Sequence, residues 1–182
     1  KYQNLPENLI NAVIVTEDKR FFQHHGVDFR GVLRAIYVNI KEGRIVQGGS
    51  TITQQLAKNL FKIRRENKGK LSNVPFLGLV ISKVKEWIVS IKLEEFYTKK
   101  EILAMYLNTA EYGSNSYGIK VASKTYFNKL PSELNYNESS IIVGLLNKPT
   151  KYNPYFNPEN ALKKRAEIFY NLYKYEIINK TL

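Results

Sequence analysis

"PENLINAVIVTEDKRFFQHHG", residues 6–26, joins two unlike halves. In the first half Pro6 can open a helix that puts Leu9, Val13 and Thr16 on one face, the pattern of a helix packed against a core. The second half crowds Glu17, Asp18, Lys19, Arg20, Phe21, Phe22 and both histidines of the chain, His24 and His25, into a few positions. A buried helix that runs straight into so dense a polar cluster does little for stability alone. The stretch therefore predicts a helical fold whose first helix ends where chemistry is done.

Helical periodicity continues through the rest of the chain, and no alternating strand longer than a few residues is found. A second helix fits residues 28–42, and "QGGSTITQQLAKNLF" gives a glycine turn followed by a helix from about Thr51. Thr51 and Gln54 have the spacing of a capping box. Residues 62–75 are basic, carry Gly and Pro, and read as a loop or mobile flap. A long helix over 77–96 carries an apolar stripe of Val80, Val84, Trp87, Ile88 and Ile91. "KKEILAMYLN" (99–108) is a further helix, "EYGSNSYG" (111–118) a glycine-rich loop, and 118–127 a short helix. Asn137 is the expected cap of a helix over 138–147, and Asn157-Pro158 opens the last. No internal repeat or low-complexity tract is present.

Bulk properties narrow the class. The 182 residues suit a single domain over 1–182 with a substantial core. An apolar fraction of 43%, with 13 tyrosines and 9 phenylalanines, argues against disorder. The formal charge of +12, from 28 Lys and Arg against 16 Asp and Glu, points to a polyanionic partner. Nucleic acid, an anionic membrane surface and a phosphorylated substrate all qualify. The absence of cysteine removes disulfides and cysteine metal sites. No run approaches the roughly 18 apolar residues that span a bilayer. Lys1 in place of Met reads as an excised domain or a processed chain.

Several groupings could carry chemistry. Glu17 and Asp18 meet the negative end of the first helix dipole, which with partial burial favours a raised carboxylate pKa and a base near neutral pH. The alternative is ion pairing with Lys19 and Arg20 at a solvated helix end. His24 and His25, adjacent and without a third ligand, make a poor zinc site. Thr51, Gln55 and Lys58 share one helix face with Gln54 beside them, while Ile52, Leu56 and Leu60 form the apolar face. Gly48 and Gly49 ahead of that helix allow a ligand close approach, and its free N–H groups favour an anion. A P-loop spacing is absent. Lys83 and Glu86 lie three apart, which alone is most often a weak surface pair. Two separated carboxylates, Glu17 and Glu86, are also what glycosidic chemistry requires.

At this point four motifs stand in order. "EDKRFFQHHG" fits E-D-x-x-F-x-x-H-x-G, and "GGSTITQQLAKN" fits G-G-S-T-x-x-Q-Q-x-x-K-N. "KVKE" fits the tail of R-K-x-x-E, "KKEILAMYLN" fits K-x-x-I-L-x-x-Y-L-N, and "KKRAEIF" echoes a last arginine-bearing motif. Over roughly residues 7–170 the chain resembles the peptidoglycan glycosyltransferases, the transglycosylase domain of penicillin-binding proteins and of monofunctional transglycosylases. The resemblance implies a mainly α, lysozyme-like domain with a larger head lobe and a smaller membrane-associated jaw lobe, with 61–79 as a mobile, membrane-facing jaw segment. It implies polymerisation of lipid II into β-1,4-linked glycan strands, with inversion at the anomeric carbon and release of undecaprenyl pyrophosphate.

By the same resemblance Glu17 is the general base and Glu86 the second essential glutamate, on the leaving-group side. Lys58 and Lys83 would neutralise the departing pyrophosphate. Gly49, Ser50, Thr51, Gln54, Gln55 and Asn59 would line the substrate cleft, and Asp18, Phe21, His24, Tyr106 and Asn108 would hold the surroundings in place. No metal ligands are implied, although Mg or Mn could bridge the pyrophosphate. The expected partners are lipid II, the growing strand, an anionic membrane surface and other cell-wall synthesis proteins, and not nucleic acid. The expected location is the extracytoplasmic face of the bacterial membrane, with an N-terminal transmembrane anchor outside this chain. Two departures stand out: Ser82 replaces the arginine of the third motif, for which Arg64 or Arg65 could compensate, and Lys164 stands for an arginine in the last. The rival reading is a lysozyme-like or lytic transglycosylase that cleaves glycan, which would have no use for cations placed for a pyrophosphate.

Overall fold

The computed structural model describes residues 2–44, 46, 48–61 and 75–179, without the side chains of 75–77 and 79. Among the described residues the chain forms eight α-helices: α1 Glu7–Glu17, α2 Phe29–Lys41, α3 Ile52–Phe61, α4 Pro75–Phe96, α5 Lys99–Thr109, α6 Ile119–Phe127, α7 Tyr136–Asn147 and α8 Pro158–Lys174. The only β pairing among them is two isolated bridges, His25 with Val27 and Glu111 with Tyr117. The mainly helical class is as the periodicity predicts. Of the expected jaw segment 61–79, residues 62–74 lie outside the described residues, and with them Arg64 and Arg65. The chain divides into two compact units, residues 1–19 with 107–182, and residues 20–106.

In the first unit α1, α7 and α8 pack mutually. Leu9, Ala12 and Val13 of α1 meet a buried set that includes Ile142, Val143 and Leu145 of α7 and Ile168 and Leu172 of α8. Small residues on α7 permit the close approach: a Cβ on Gly144 would stand 3.1 Å from Lys164 Cγ. Asn135, and not Asn137, caps α7. Its Oδ1 accepts from the Glu138 N–H at 2.9 Å, while Glu138 Oε2 accepts from the Asn135 N–H at 3.0 Å. That reciprocal box needs an acid three residues after the cap, which Asn135 has in Glu138 and Asn137 lacks in Ser140. The loop after α5 closes through Tyr112 N–H to Ser116 O (2.8 Å) and Gly118 N–H to Ala110 O (2.9 Å).

The second unit is organised around α3 lying along α4. Asp28 caps α2, its Oδ1 accepting from the Gly31 N–H at 2.9 Å and pairing with Arg20 at 3.2 Å. Gly26, the last residue of the opening motif, has φ +76°, and a Cβ there would lie 2.7 Å from the Ser90 backbone. Only glycine satisfies both constraints. Thr51 Oγ1 donates to the Gly26 carbonyl at 2.6 Å, so the start of α3 is tied to that same contact with α4.

α4 itself is turned opposite to expectation. Ser82, Glu86, Ser90 and Leu93 are buried, whereas Val80, Val84, Ile88 and Ile91 of the apolar stripe are exposed. The buried polar groups are satisfied locally. Ser82 Oγ donates to Gly78 O at 2.8 Å, Ser90 Oγ donates to Glu86 O at 2.6 Å, and Glu86 takes Lys83. Hydroxyls that bond back onto their own helix remove most of the cost of turning a polar face inward.

Candidate active site

The second unit gathers six of the sequence-predicted residues around one small open cleft: Ser50, Gln54, Gln55, Lys58, Lys83 and Glu86. α3 supplies the amides and Lys58, and α4 supplies the Lys83–Glu86 pair. The pair is not the surface ion pair that its spacing alone suggests. Glu86 is only 2% exposed, and Lys83 Nζ reaches its Oε2 at 2.6 Å and Ser50 Oγ at 3.0 Å. A buried carboxylate needs hydrogen-bond and charge partners, and Lys83 supplies one, so the two act as one unit.

The amides are held, not loose. Gln54 donates its backbone N–H to Thr51 Oγ1 at 3.1 Å, which is half of the expected capping box. Its side chain is buried, yet Nε2 has no hydrogen-bond partner among the described residues. A buried donor left unmet costs about 1–3 kcal/mol, and an oxygen-rich ligand in the cleft would recover it. Tyr106, buried on α5, donates its hydroxyl to Gln55 Oε1 at 3.0 Å and so fixes that amide at the rim of the cleft. Lys58 adds a second cation. The cleft thus offers amide donors, a hydroxyl and two ammonium groups, a set suited to an oxyanion with attached sugar.

The other predicted residues are placed as follows. Glu17 ends α1 in the first unit and is partly buried. Asp18 follows it, buried, with its N–H donating to Ile14 O at 3.1 Å. Asn108, also in the first unit, is exposed, and its carbonyl lies against Gly118. In the second unit His24 is buried edge-on to Phe21 at 6.3 Å between ring centroids. Gly49 stands with its Cα hydrogen toward Val32, where a Cβ would come within 3.2 Å. Thr51 is spent on Gly26, and Asn59 is exposed near the end of α3. Ser82 is buried in α4 and cannot replace an arginine as a phosphate contact.

Sequence reasoning gave no role to Thr53, Glu94 or Lys99 of this unit, although Lys99 opens the fourth motif. Thr53 Oγ1 and Lys99 Nζ both donate to Glu94 Oε1, at 2.6 and 2.8 Å. The signal that could have found Glu94 is the four-residue spacing of Ser82, Glu86, Ser90 and Glu94, a polar row along one side of α4.

Comparison with known proteins identifies the family. The model of the family described as Transglycosylase matches residues 1–173. The chain is 44% identical to penicillin-binding protein 1A of Aquifex aeolicus, over 88% of this chain and 20% of that protein. It is 37% identical to penicillin-binding protein 1B of Haemophilus influenzae (99% and 22%) and 39% identical to penicillin-binding protein 1F of Bacillus subtilis (90% and 21%). The chain spans about a fifth of the length of these curated relatives. With the family match running through both units and the cleft on α3 and α4 built from its motifs, the chain belongs to the transglycosylase family, the peptidoglycan glycosyltransferases.

Proposed function

We propose that this chain polymerises lipid II into β-1,4-linked glycan strands. The observation that carries the reading is the Lys83–Glu86 pair beside Lys58 and the two glutamine amides, a cleft matched to a sugar on a pyrophosphate. Glu17 accepts the proton of the acceptor 4-hydroxyl, whose oxygen then attacks the anomeric carbon. As that C–O bond forms, the bond to the pyrophosphate oxygen breaks on the opposite side of the ring, which inverts the α linkage to β. Undecaprenyl pyrophosphate leaves with its electron pair, and Lys58 and Lys83 stabilise the charge that develops on it. The carboxylate of Glu86 keeps Lys83 directed at the cleft. A divalent ion bridging the pyrophosphate would have Glu86, already paired with Lys83, as its carboxylate in this cleft, and the lysines supply positive charge beside it.

We place the reaction at the surface of an anionic bilayer, on the outer face of the bacterial cell membrane. No helix of the described residues is long and apolar enough to cross a membrane. The second unit instead leaves apolar surface uncovered. On α2 the packed face is Gly31 and Ala35, while Phe29, Leu33, Ile36, Tyr37 and Ile40 are exposed on the other side. Phe29 meets Trp87 of α4 edge-on at 5.7 Å, next to the exposed stripe of that helix. Arg30, Arg34 and Lys41 run along one flank of α2, and Lys85 and Lys92 along α4, all exposed. Apolar stripes edged by cations are the chemistry of a helix lying at an anionic lipid surface.

The test is incubation of the purified chain with labelled lipid II in detergent, beside Glu17→Gln. Long products that muramidase digests are expected from the wild type and not from the variant. Cleavage of finished glycan strands without any polymer would replace this reading with the hydrolase.

A further inference from the structure

Glu94 is where three helices of the second unit meet. Its side chain is 4% exposed, and its Oε1 takes the Thr53 hydroxyl of α3 at 2.6 Å and the Lys99 ammonium of α5 at 2.8 Å. The Lys99 ammonium also sits 4.5 Å from the centroid of the Phe21 ring. This is a buried ionic cluster remote along α4 from the cleft pair: Glu94 lies eight residues past Glu86, about 12 Å along the axis at 1.5 Å per residue. Buried ion pairs are poor stabilisers, because well-packed apolar residues of similar volume often serve as well or better. What such a cluster does supply is one allowed register between the elements it joins.

We infer that Thr53, Glu94 and Lys99 are positioning residues that set the rotation of α3 against α4. The inference rests on the proposed glycosyl transfer and assigns these residues a part in it. α3 carries the amides and Lys58 on the side turned away from Thr53, so a hold on Thr53 fixes where that side points, and α4 carries Lys83 and Glu86 on the row that continues to Glu94. Thr51 is tied to Gly26, Thr53 to Glu94 and Gln55 to Tyr106. Three alternate residues at the start of α3, Thr51 just before it and Thr53 and Gln55 within it, are thereby fixed to three separate elements, and Gln54 lies among them. A turn of α3 by even a fraction of its period would move Gln54 and Lys58 relative to Lys83. Thr53, Glu94 and Lys99 are not among the residues that line the cleft. They act through the residues they hold.

The experiment replaces the whole cluster by apolar groups: Thr53→Val, Glu94→Leu and Lys99→Met together. A positioning role predicts a folded protein with an undiminished melting temperature and kcat for lipid II lowered about 10- to 100-fold, the scale of a misplacement near 1 Å. Wild-type kcat in the folded triple variant would overturn the inference. Thr53→Val alone serves if the triple variant does not fold. It should lower kcat in the same direction, and Thr53→Ser, which keeps the hydroxyl, should restore it; equal kcat in the two variants overturns the inference. Wild-type polymer in the same assay separates this failure from failure of the proposed function. If the wild type made no polymer, amide exchange over residues 52–57 decides: faster exchange in the variant at equal global stability supports the positioning role, and unchanged exchange sinks it.

Discussion

α7 in the first unit and α4 in the second are both helices rich in serine and large aliphatic residues, and they turn opposite sides inward. α7 buries Ile142, Val143 and Leu145 together with Ser139 and Ser140. α4 buries Ser82, Glu86 and Ser90 and leaves Val80, Val84, Ile88 and Ile91 outside. The first unit follows the usual rule, in which apolar burial holds the helices together. In the second unit α4 satisfies its inward polar face with hydrogen bonds and an ion pair, and leaves its apolar stripe exposed. The difference teaches that an apolar stripe names one side of a helix, and that its neighbours decide whether that side is inner or outer.

The contrast can be broken most sharply at Lys83. If the inward polar face of α4 serves a ligand, Lys83→Met should lower turnover of lipid II about 100- to 1,000-fold, the cost of losing one preorganised charge at the transition state. A variant with wild-type turnover would mean that the Lys83–Glu86 pair is packing only. A matched pair of truncations tests the other half. Ile142→Ala, in the core of the first unit, should cost about 2–5 kcal/mol in denaturant unfolding. Ile88→Ala, at 51% exposure on α4, should stay within about 0.5 kcal/mol. Equal losses would show that the stripe of α4 is core after all.

The next effect is smaller and concerns the uncovered surface. Arg34→Gln should weaken binding to phosphatidylglycerol vesicles by about 1 kcal/mol, and Leu33→Glu should weaken it further, with melting temperature unchanged. Cosedimentation at fixed lipid measures both. Equal binding to neutral and anionic vesicles would remove the cationic flank from the account.

Helix existence was legible because periods of three to four residues persist for ten or so positions, and the first helix, α2, α3, α5 and α6 begin within a residue or two of where the sequence puts them. The cap of α7 was misplaced because Asn135 and Asn137 both qualify by residue type, and only the acid three positions on separates them. The orientation of α4 was not legible from its stripe. The row of Ser82, Glu86, Ser90 and Glu94 was present in the sequence, but a polar row normally faces water, and only the partners on α3 and α5 explain why this one does not. The motifs led to the six residues of the cleft. They did not lead to the Thr53–Glu94 bond, because a contact between residues 41 positions apart leaves no trace in local spacing.

The weakest effect returns to the first unit and asks whether its carboxylates matter as charges at all. Glu138 is the counterpart of Glu86, a glutamate paired with a lysine, but it sits at the rim of an apolar unit. Burial pushes its pKa up, while the Lys129 ammonium at 2.7 Å and the Asn135 N–H pull it down, and the balance lies below the ordinary value. A carboxylate whose folded pKa is below its unfolded one stabilises the fold above the unfolded pKa, about 4.3, and loses that contribution as pH falls through the folded value. The stability difference between wild type and Glu138→Gln should therefore hold at about 1 kcal/mol or less from neutral pH down to about pH 5, then shrink in more acid solution. Thermal melts of both proteins across that range measure it. A difference that persisted in acid would mean that the cap works through hydrogen-bond geometry alone, and that charge is used structurally only where the second unit turns it inward.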